Sequence, residues 1–174
     1  MDIKSIIRTV DNFPKPGIKF LDVTAIWENP TAFRKTVNWL IKLTARHQIN
    51  SIVAIDARGF VWGGALATEI QVPLHVARKP GKLPGNVVTQ EYDTEYSNTS
   101  LSMLKDVSIQ GPVLVIDDIL ATGGTLNAVG KMLEQHWNIP ASKQVHAVIA
   151  NLDFLPGKKV LSEQGYLVEA LVDY

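Results

Sequence analysis

Two adjacent carboxylates, Asp117 and Asp118, stand just ahead of a run of small and hydroxyl-bearing residues, Ala121-Thr122-Gly123-Gly124-Thr125. Neighbouring aspartates repel each other and call for cations or hydrogen-bond donors to offset them. The run that follows offers the opposite chemistry. Its glycines let backbone N–H groups approach an anion with no Cβ in the way, and its threonines add hydroxyl donors. A helix opening there would contribute unpaired N–H groups and the positive end of its dipole. A ribose phosphate carries the complementary pair: a diol that donates to carboxylates, and a phosphate that accepts from N–H and O–H groups. Either half alone could do no more than close a turn or cap a helix; their adjacency favours a ligand. The run lacks the lysine and the glycine spacing of a nucleoside-triphosphate P-loop.

The elements that must position these groups can be read from the apolar pattern. Val113-Leu114-Val115-Ile116 predicts a strand buried on both faces, as in a parallel sheet. Ligands of such sheets bind beyond the carboxyl ends of the strands, where Asp117 and Asp118 arrive. Leu126, Val129, Leu133 and Trp137 then keep helical spacing, with Thr122 or Thr125 available as its cap. Further strands are expected at Ser51–Ile55, Val72–Ala77, Val145–Ala150 and Leu167–Val172, and a close-packed helix at Phe60–Ile70. Asn29-Pro30 is a helix start, with Phe33, Val37, Leu40, Ile41 and Thr44 on its buried face. Ile3, Ile6, Ile7 and Val10 predict a short amphipathic helix, and Phe20 to Ile26 an extended segment. Pro80 to Pro84 is a loop; Val87 to Met103 reads as a flap or hairpin outside the core, a long insertion of the kind that serves as a lid. Strand alternating with helix gives an α/β fold, a central parallel sheet flanked by helices with right-handed crossovers. We expect a single domain over residues 1–174, with a small N-terminal cap over 1–30 and a mobile flap over 80–105.

Composition narrows the function classes. Lys plus Arg and Asp plus Glu number 17 each, so nothing draws the chain as a whole to nucleic acid. The absence of cysteine excludes disulfides, thiolate nucleophiles and cysteine zinc sites. His47, His75, His136 and His146 have no ligand-like spacing, so no protein-held metal is expected. No apolar stretch is long enough to cross a bilayer, and no signal-peptide pattern opens the chain, so a soluble cytoplasmic protein without membrane partners is expected.

Taken whole, Val113 to Thr125 resembles the phosphoribosyl-diphosphate (PRPP) binding signature of type I phosphoribosyltransferases. Its Ala-Thr-Gly-Gly-Thr form is typical of the adenine phosphoribosyltransferases. Phe13-Pro14, Pro16 to Phe20 and Asp22-Val23-Thr24 resemble that family's adenine-side segment, and Ala57-Arg58-Gly59-Phe60 its diphosphate loop. Arg78 to Pro84, with Glu95-Tyr96, resembles its mobile catalytic loop. The blocks follow the family order from about residue 13 to 155.

The resemblance implies the type I phosphoribosyltransferase fold and a purine-salvage reaction in which adenine N9 attacks C1′ of PRPP, giving AMP and diphosphate. It assigns Asp117 and Asp118 to the ribose hydroxyls and Ala121, Thr122, Gly123, Gly124 and Thr125 to the 5′-phosphate. Arg58 and Gly59 belong to the diphosphate loop, and Arg78, Lys79 and Lys82 stabilise the departing diphosphate, with Arg78 reaching across a homodimer interface. Phe20 stacks on the adenine with Leu155 on the other face, and backbone groups near Lys19 and Arg58 read the base edge. Glu95 accepts the purine proton, with Tyr96 beside it in the flap. Magnesium (Mg2+) rides on PRPP and diphosphate oxygens. Read from residue type alone, Arg58, the basic cluster and Glu95 are ordinary solvated groups and Phe20 is a cap or core residue, while the place of Arg58 at a strand's carboxyl end, on the same edge as Asp117, points it toward the site. Asp56 stands where the family usually has Glu, and Leu21 where it often has Arg. Two alternatives stay open: transfer to guanine, xanthine or orotate, and a PRPP-sensing regulator without catalysis.

Overall fold

The computed structural model describes residues 2–13, 15–17, 19–93 and 98–174. Among them, five strands form a parallel sheet: β3 (Ser51–Ile55), β4 (Leu74–Ala77), β7 (Val113–Leu120), β8 (Gln144–Asn151) and β9 (Leu167–Asp173). Their spatial order is β4-β3-β7-β8-β9, and every neighbouring pair is parallel. Four helices accompany them: α1 (Pro30–His47), α2 (Gly59–Ile70), α3 (Gly124–Trp137) and α4 (Gly157–Glu163). Two antiparallel pairs lie outside the sheet, β1 (Arg8–Asp11) with β2 (Lys19–Asp22) and β5 (Val87–Asp93) with β6 (Asn98–Leu104).

Alternation along each central strand divides its side chains between two cores. On β7, Leu114 and Ile116 pack with Val37, Leu40, Trp62 and Leu66 on the α1–α2 side. Val113 and Val115 pack with Leu126, Val129, Met132 and Leu133 of α3 on the other. Trp62 is fully buried and donates its indole N–H to Thr36 Oγ1 at 2.9 Å, which joins α2 to α1. Without that acceptor the buried N–H would cost about 1–3 kcal/mol. α1 begins as its sequence dictates, with Pro30 in the first turn and the Asn29 side chain accepting the Ala32 N–H.

Several elements differ from the sequence expectations. No helix forms at Ile3 to Val10: Ile3 and Ile7 are buried in a turn, and Val10 is exposed in β1 opposite Phe20. Eight residues are too few to carry a helix by themselves, and pairing with β2 satisfies the backbone instead. Phe20 to Ile26 is extended only to Asp22; a 3-10 turn over Val23–Ile26 follows, capped by the Asp22 carboxylate, which accepts the Thr24 N–H. The hairpin is not outside the core. Val88, Leu101 and Met103 are buried in the α3-side core, and β6 is tied to Arg78 by reciprocal Arg78–Ser102 backbone bonds of 2.9 and 2.7 Å. β7 does not stop at Ile116 but continues through both aspartates to Leu120. Neither Thr122 nor Thr125 caps α3; its N-cap is Gly123, at φ +87°, with no side chain capping it. α4 carries no amphipathic signal long enough to predict.

Candidate functional site

A cleft of about 1000 Å³ opens over the carboxyl ends of β3, β7 and β8. Asp56, Ala57 and Arg58 reach it from the end of β3, and Asp117, Asp118, Ala121 and Thr125 from the β7–α3 unit. Leu152, Phe154 and Leu155 follow β8, Lys19, Phe20 and Leu21 come from β2, and Lys79, Tyr92 and Leu101 come from the Arg78 segment and the hairpin. The parallel sheet explains the gathering: every strand delivers its carboxyl end to the same edge.

The two carboxylates differ. Asp118 is almost fully buried and accepts a charge-assisted hydrogen bond from Arg58 Nε. Asp117 Oδ1 accepts the Asp118 N–H at 2.9 Å. Burial, reinforced by the neighbouring Asp118 charge, pushes the Asp117 carboxyl well above the usual carboxylate range. Arg58 also lies 5.7 Å from the Phe20 ring centroid, so one guanidinium spans from the sheet to β2. Phe20 is braced edge-on by Phe13, centroids 5.0 Å apart.

The turn between β7 and α3 presents no acidic side chain. With no side-chain cap on α3, its first N–H groups are left to a ligand or to water. Gly59 opens α2 where a Cβ would stand 2.6 Å from the Ile116 carbonyl oxygen, so a glycine here allows α2 to start against β7. The Asp56–Ala57 peptide between β3 and α2 is cis.

Lys19, Phe20, Arg58, Lys79, Asp117, Asp118, Ala121, Thr125 and Leu155 thus share one cleft. Thr122, Gly123 and Gly124 belong to the same turn without lining it, and Gly59 sits behind Arg58. Arg78 and Lys82 are also set back. Arg78 donates to Asp56 Oδ2 at 3.2 Å and to the Lys82 carbonyl at 3.1 Å, and its guanidinium lies 5.7 Å from the Phe60 ring. Glu95 and Tyr96 lie outside the described residues. The sequence reading missed Tyr92, Leu101, Leu152 and Phe154. Phe154 had a usable signal: it follows the end of β8 as Asp117 follows the apolar run of β7, and it is 75% exposed at the cleft.

A profile of the phosphoribosyl transferase domain matches residues 22–138. Among curated proteins, the chain is 41% identical to the adenine phosphoribosyltransferase of Chlorobium chlorochromatii (strain CaD3), over all of this chain and 98% of that one. Among solved structures it is similar to the adenine phosphoribosyltransferase of Thermoanaerobacter pseudethanolicus (TM-score 0.88, 36% identity, 99% of this chain and 98% of that one). It is also similar to the Giardia lamblia enzyme complexed with 9-deazaadenine (TM-score 0.90, 29% identity, 99% and 96% covered).

Proposed function

The chain belongs to the adenine phosphoribosyltransferase family, and on that premise we propose that it joins adenine N9 to C1′ of PRPP, giving AMP and diphosphate with inversion at C1′. The observation that carries this reading is the pairing within β7–α3: two carboxylates and an uncapped helix start, consecutive in the chain and facing the cleft that Phe20 enters. Asp117 and Asp118 take the ribose diol, and the turn from Ala121 to Thr125 takes the 5′-phosphate. Arg58, Gly59, Arg78, Lys79 and Lys82 serve the diphosphate, whose negative charge grows as the C1′ bond breaks. Phe20 and Leu155 hold the two faces of the base, and backbone groups beside Lys19 and Arg58 read its edge. Glu95, with Tyr96 beside it, takes the N9 proton while the flap over 80–105 and the cap over 1–30 keep water from the cation-like sugar.

The residues present fit a magnesium ion carried by the substrate. Asp117 and Asp118 are hard oxygen donors, and the burial that disfavours a charged Asp117 is relieved by a neighbouring cation. When bound, magnesium would neutralise part of the diphosphate charge. A homodimer is part of the same proposal, supported by the exposed apolar side chains of Val61 on α2 and of Leu74 on β4, the edge strand that leads into Arg78. Among the described residues no helix is long and apolar enough to cross a membrane, and a cysteine-free chain suits the cytoplasm.

The test is a base panel. With PRPP and magnesium, adenine should release diphosphate and form AMP, while guanine, xanthine and orotate should not. Turnover with guanine and none with adenine overturns the assignment, and PRPP binding without transfer to any base would mark a regulator.

A further inference from the structure

We propose that Gly157, the first residue of α4, is a positioning residue that aims the turn between β7 and α3. The proposal rests on reading that turn as the phosphate cradle. The Gly157 N–H donates to the Ala121 carbonyl at 3.1 Å. A Cβ on Gly157 would collide with that same carbonyl oxygen and stand 2.7 Å from Leu120 Cδ1 and 2.9 Å from the Gly123 nitrogen. From the other side, a Cβ on Gly123 would stand 3.1 Å from the Gly157 carbonyl oxygen and 3.2 Å from its Cα, with Leu161 Cγ at 3.4 Å. The two backbones therefore meet with no side chain between them.

Glycine at 157 answers to space, not to conformation. Its φ is not in the left-handed region, and alanine would favour a helical residue by about 1 kcal/mol. What the contact controls is direction. The Ala121–Thr122 peptide is trans, so its C=O and N–H point opposite ways. Holding the Ala121 carbonyl against α4 keeps a repelling oxygen off the anion and turns the Thr122 N–H away from α4, in a turn whose Ala121 and Thr125 line the cleft. A second bond, Leu152 N–H to the Leu120 carbonyl at 2.9 Å, fixes the other end of the same β8–α4 connection.

Gly157→Ala, made in the full chain, should raise the KM for PRPP about tenfold and leave the KM for adenine within about twofold. In calorimetry its affinity for ribose 5-phosphate should fall about tenfold. Gly130→Ala is the control for lost stability: its Cβ would meet the buried Tyr166 ring at 2.6 Å, two turns along α3. It should lower the melting temperature and leave both KM values near wild type. Leu161→Ala loosens the contact instead of forcing it, and should give the same PRPP-selective loss where Gly157→Ala does not fold. An unchanged ribose 5-phosphate affinity in whichever of these two folds overturns the proposal, as does an equal rise in both KM values. Wild type that binds ribose 5-phosphate but makes no AMP refutes the transferase reading and leaves the calorimetric test of Gly157 in force. Wild type that does not bind ribose 5-phosphate overturns the cradle and this proposal together.

Discussion

Asp117→Asn should make the ligand-free protein more stable and the nucleotide complex weaker. The Asp117 carboxyl is held well above the ordinary range by burial and by the Asp118 charge. A carboxyl whose folded pKa exceeds its unfolded value contributes stability that is fully present below the unfolded value, about 3.9, and is lost as pH rises through the folded value. At neutral pH the wild type therefore gives up stability at this residue, and asparagine does not. The substitution keeps the local geometry, because its Oδ1 can still accept the Asp118 N–H that Asp117 accepts at 2.9 Å. Relieving a strained functional residue is worth about 1 kcal/mol, or about 2–4 °C in melting temperature for a chain of this size. The difference should be present at pH 7 and absent at pH 4. On the ligand side, a hydroxyl bonded to a charged acceptor is worth about 1.5–3 kcal/mol, so AMP affinity should fall between about tenfold and a hundredfold. Thermal melts from pH 4 to 8 and calorimetry with AMP measure the two effects. A variant less stable than wild type at pH 7, by a margin that grows with pH, refutes the electrostatic account. An unchanged AMP affinity removes the diol assignment.

Three further outcomes are expected. Phe20→Ala should raise the KM for adenine about tenfold, from a stacking term of about 1–1.5 kcal/mol, and leave the KM for PRPP alone; equal effects on both would place Phe20 outside the base site. Glu95→Gln should slow a single turnover by about a hundredfold or more while adenine binding changes little, and an unaffected single-turnover rate would remove its role as proton acceptor. His146 is fully buried, and burial pushes its imidazole down to about 3. A depressed folded pKa leaves the histidine's contribution intact above its ordinary 6.5 and drains it as pH falls toward 3, by up to about 1.4 kcal/mol per pH unit. Urea melts at pH 7 and 4.5 should therefore show a stability gap smaller by about 2–3 kcal/mol in His146→Leu than in wild type; an equal gap means that the proton is taken up elsewhere.

What was legible in the chain was local. Asn29 and Pro30 announce α1 because a cap is made by two or three consecutive residues. The apolar runs at Ser51, Val113 and Val145 announce β3, β7 and β8 because a strand covered on both faces needs little else. The misses are set by distant partners. Ile3 to Val10 keeps helical spacing, yet β1 exists because β2 lies beside it. Aspartate is a poor strand former, so nothing in Asp117-Asp118 predicts that β7 continues; Asp117 pairs with Val148 across the ladder, and Arg58, 60 residues earlier, meets Asp118. Val87 to Met103 reads as a hairpin outside the core, but α3 packs on β5 and β6 and buries Val88 and Met103. The same divide runs through the site. Asp117, Asp118 and Thr125 could be placed by their own neighbours in sequence, whereas Phe154 and Leu101 reach the cleft only through the sheet and the hairpin.

Charge explains why these distant pieces must meet. Two aspartates inside a strand end would strain the fold if left alone, since burial raises the cost of each and proximity raises it again. In the structure Arg58 takes one of them, Asp118, and its other face lies toward Phe20. The arginine therefore ties the Phe20 side of the cleft to the Asp118 side. Among the described residues no cation pairs directly with Asp117, and the charge of Arg58 only partly offsets its burial, so it is left as the group most in need of donors. Under the proposed reaction, a ribose hydroxyl, or a cation brought in on the diphosphate, would supply what that carboxylate lacks. The electrostatic deficit sits at Asp117, and the uncapped start of α3 follows it by a few residues. A ligand that relieves both must carry hydrogen-bond donors and an anionic group, and the phosphoribosyl group of the proposed reaction carries the two together.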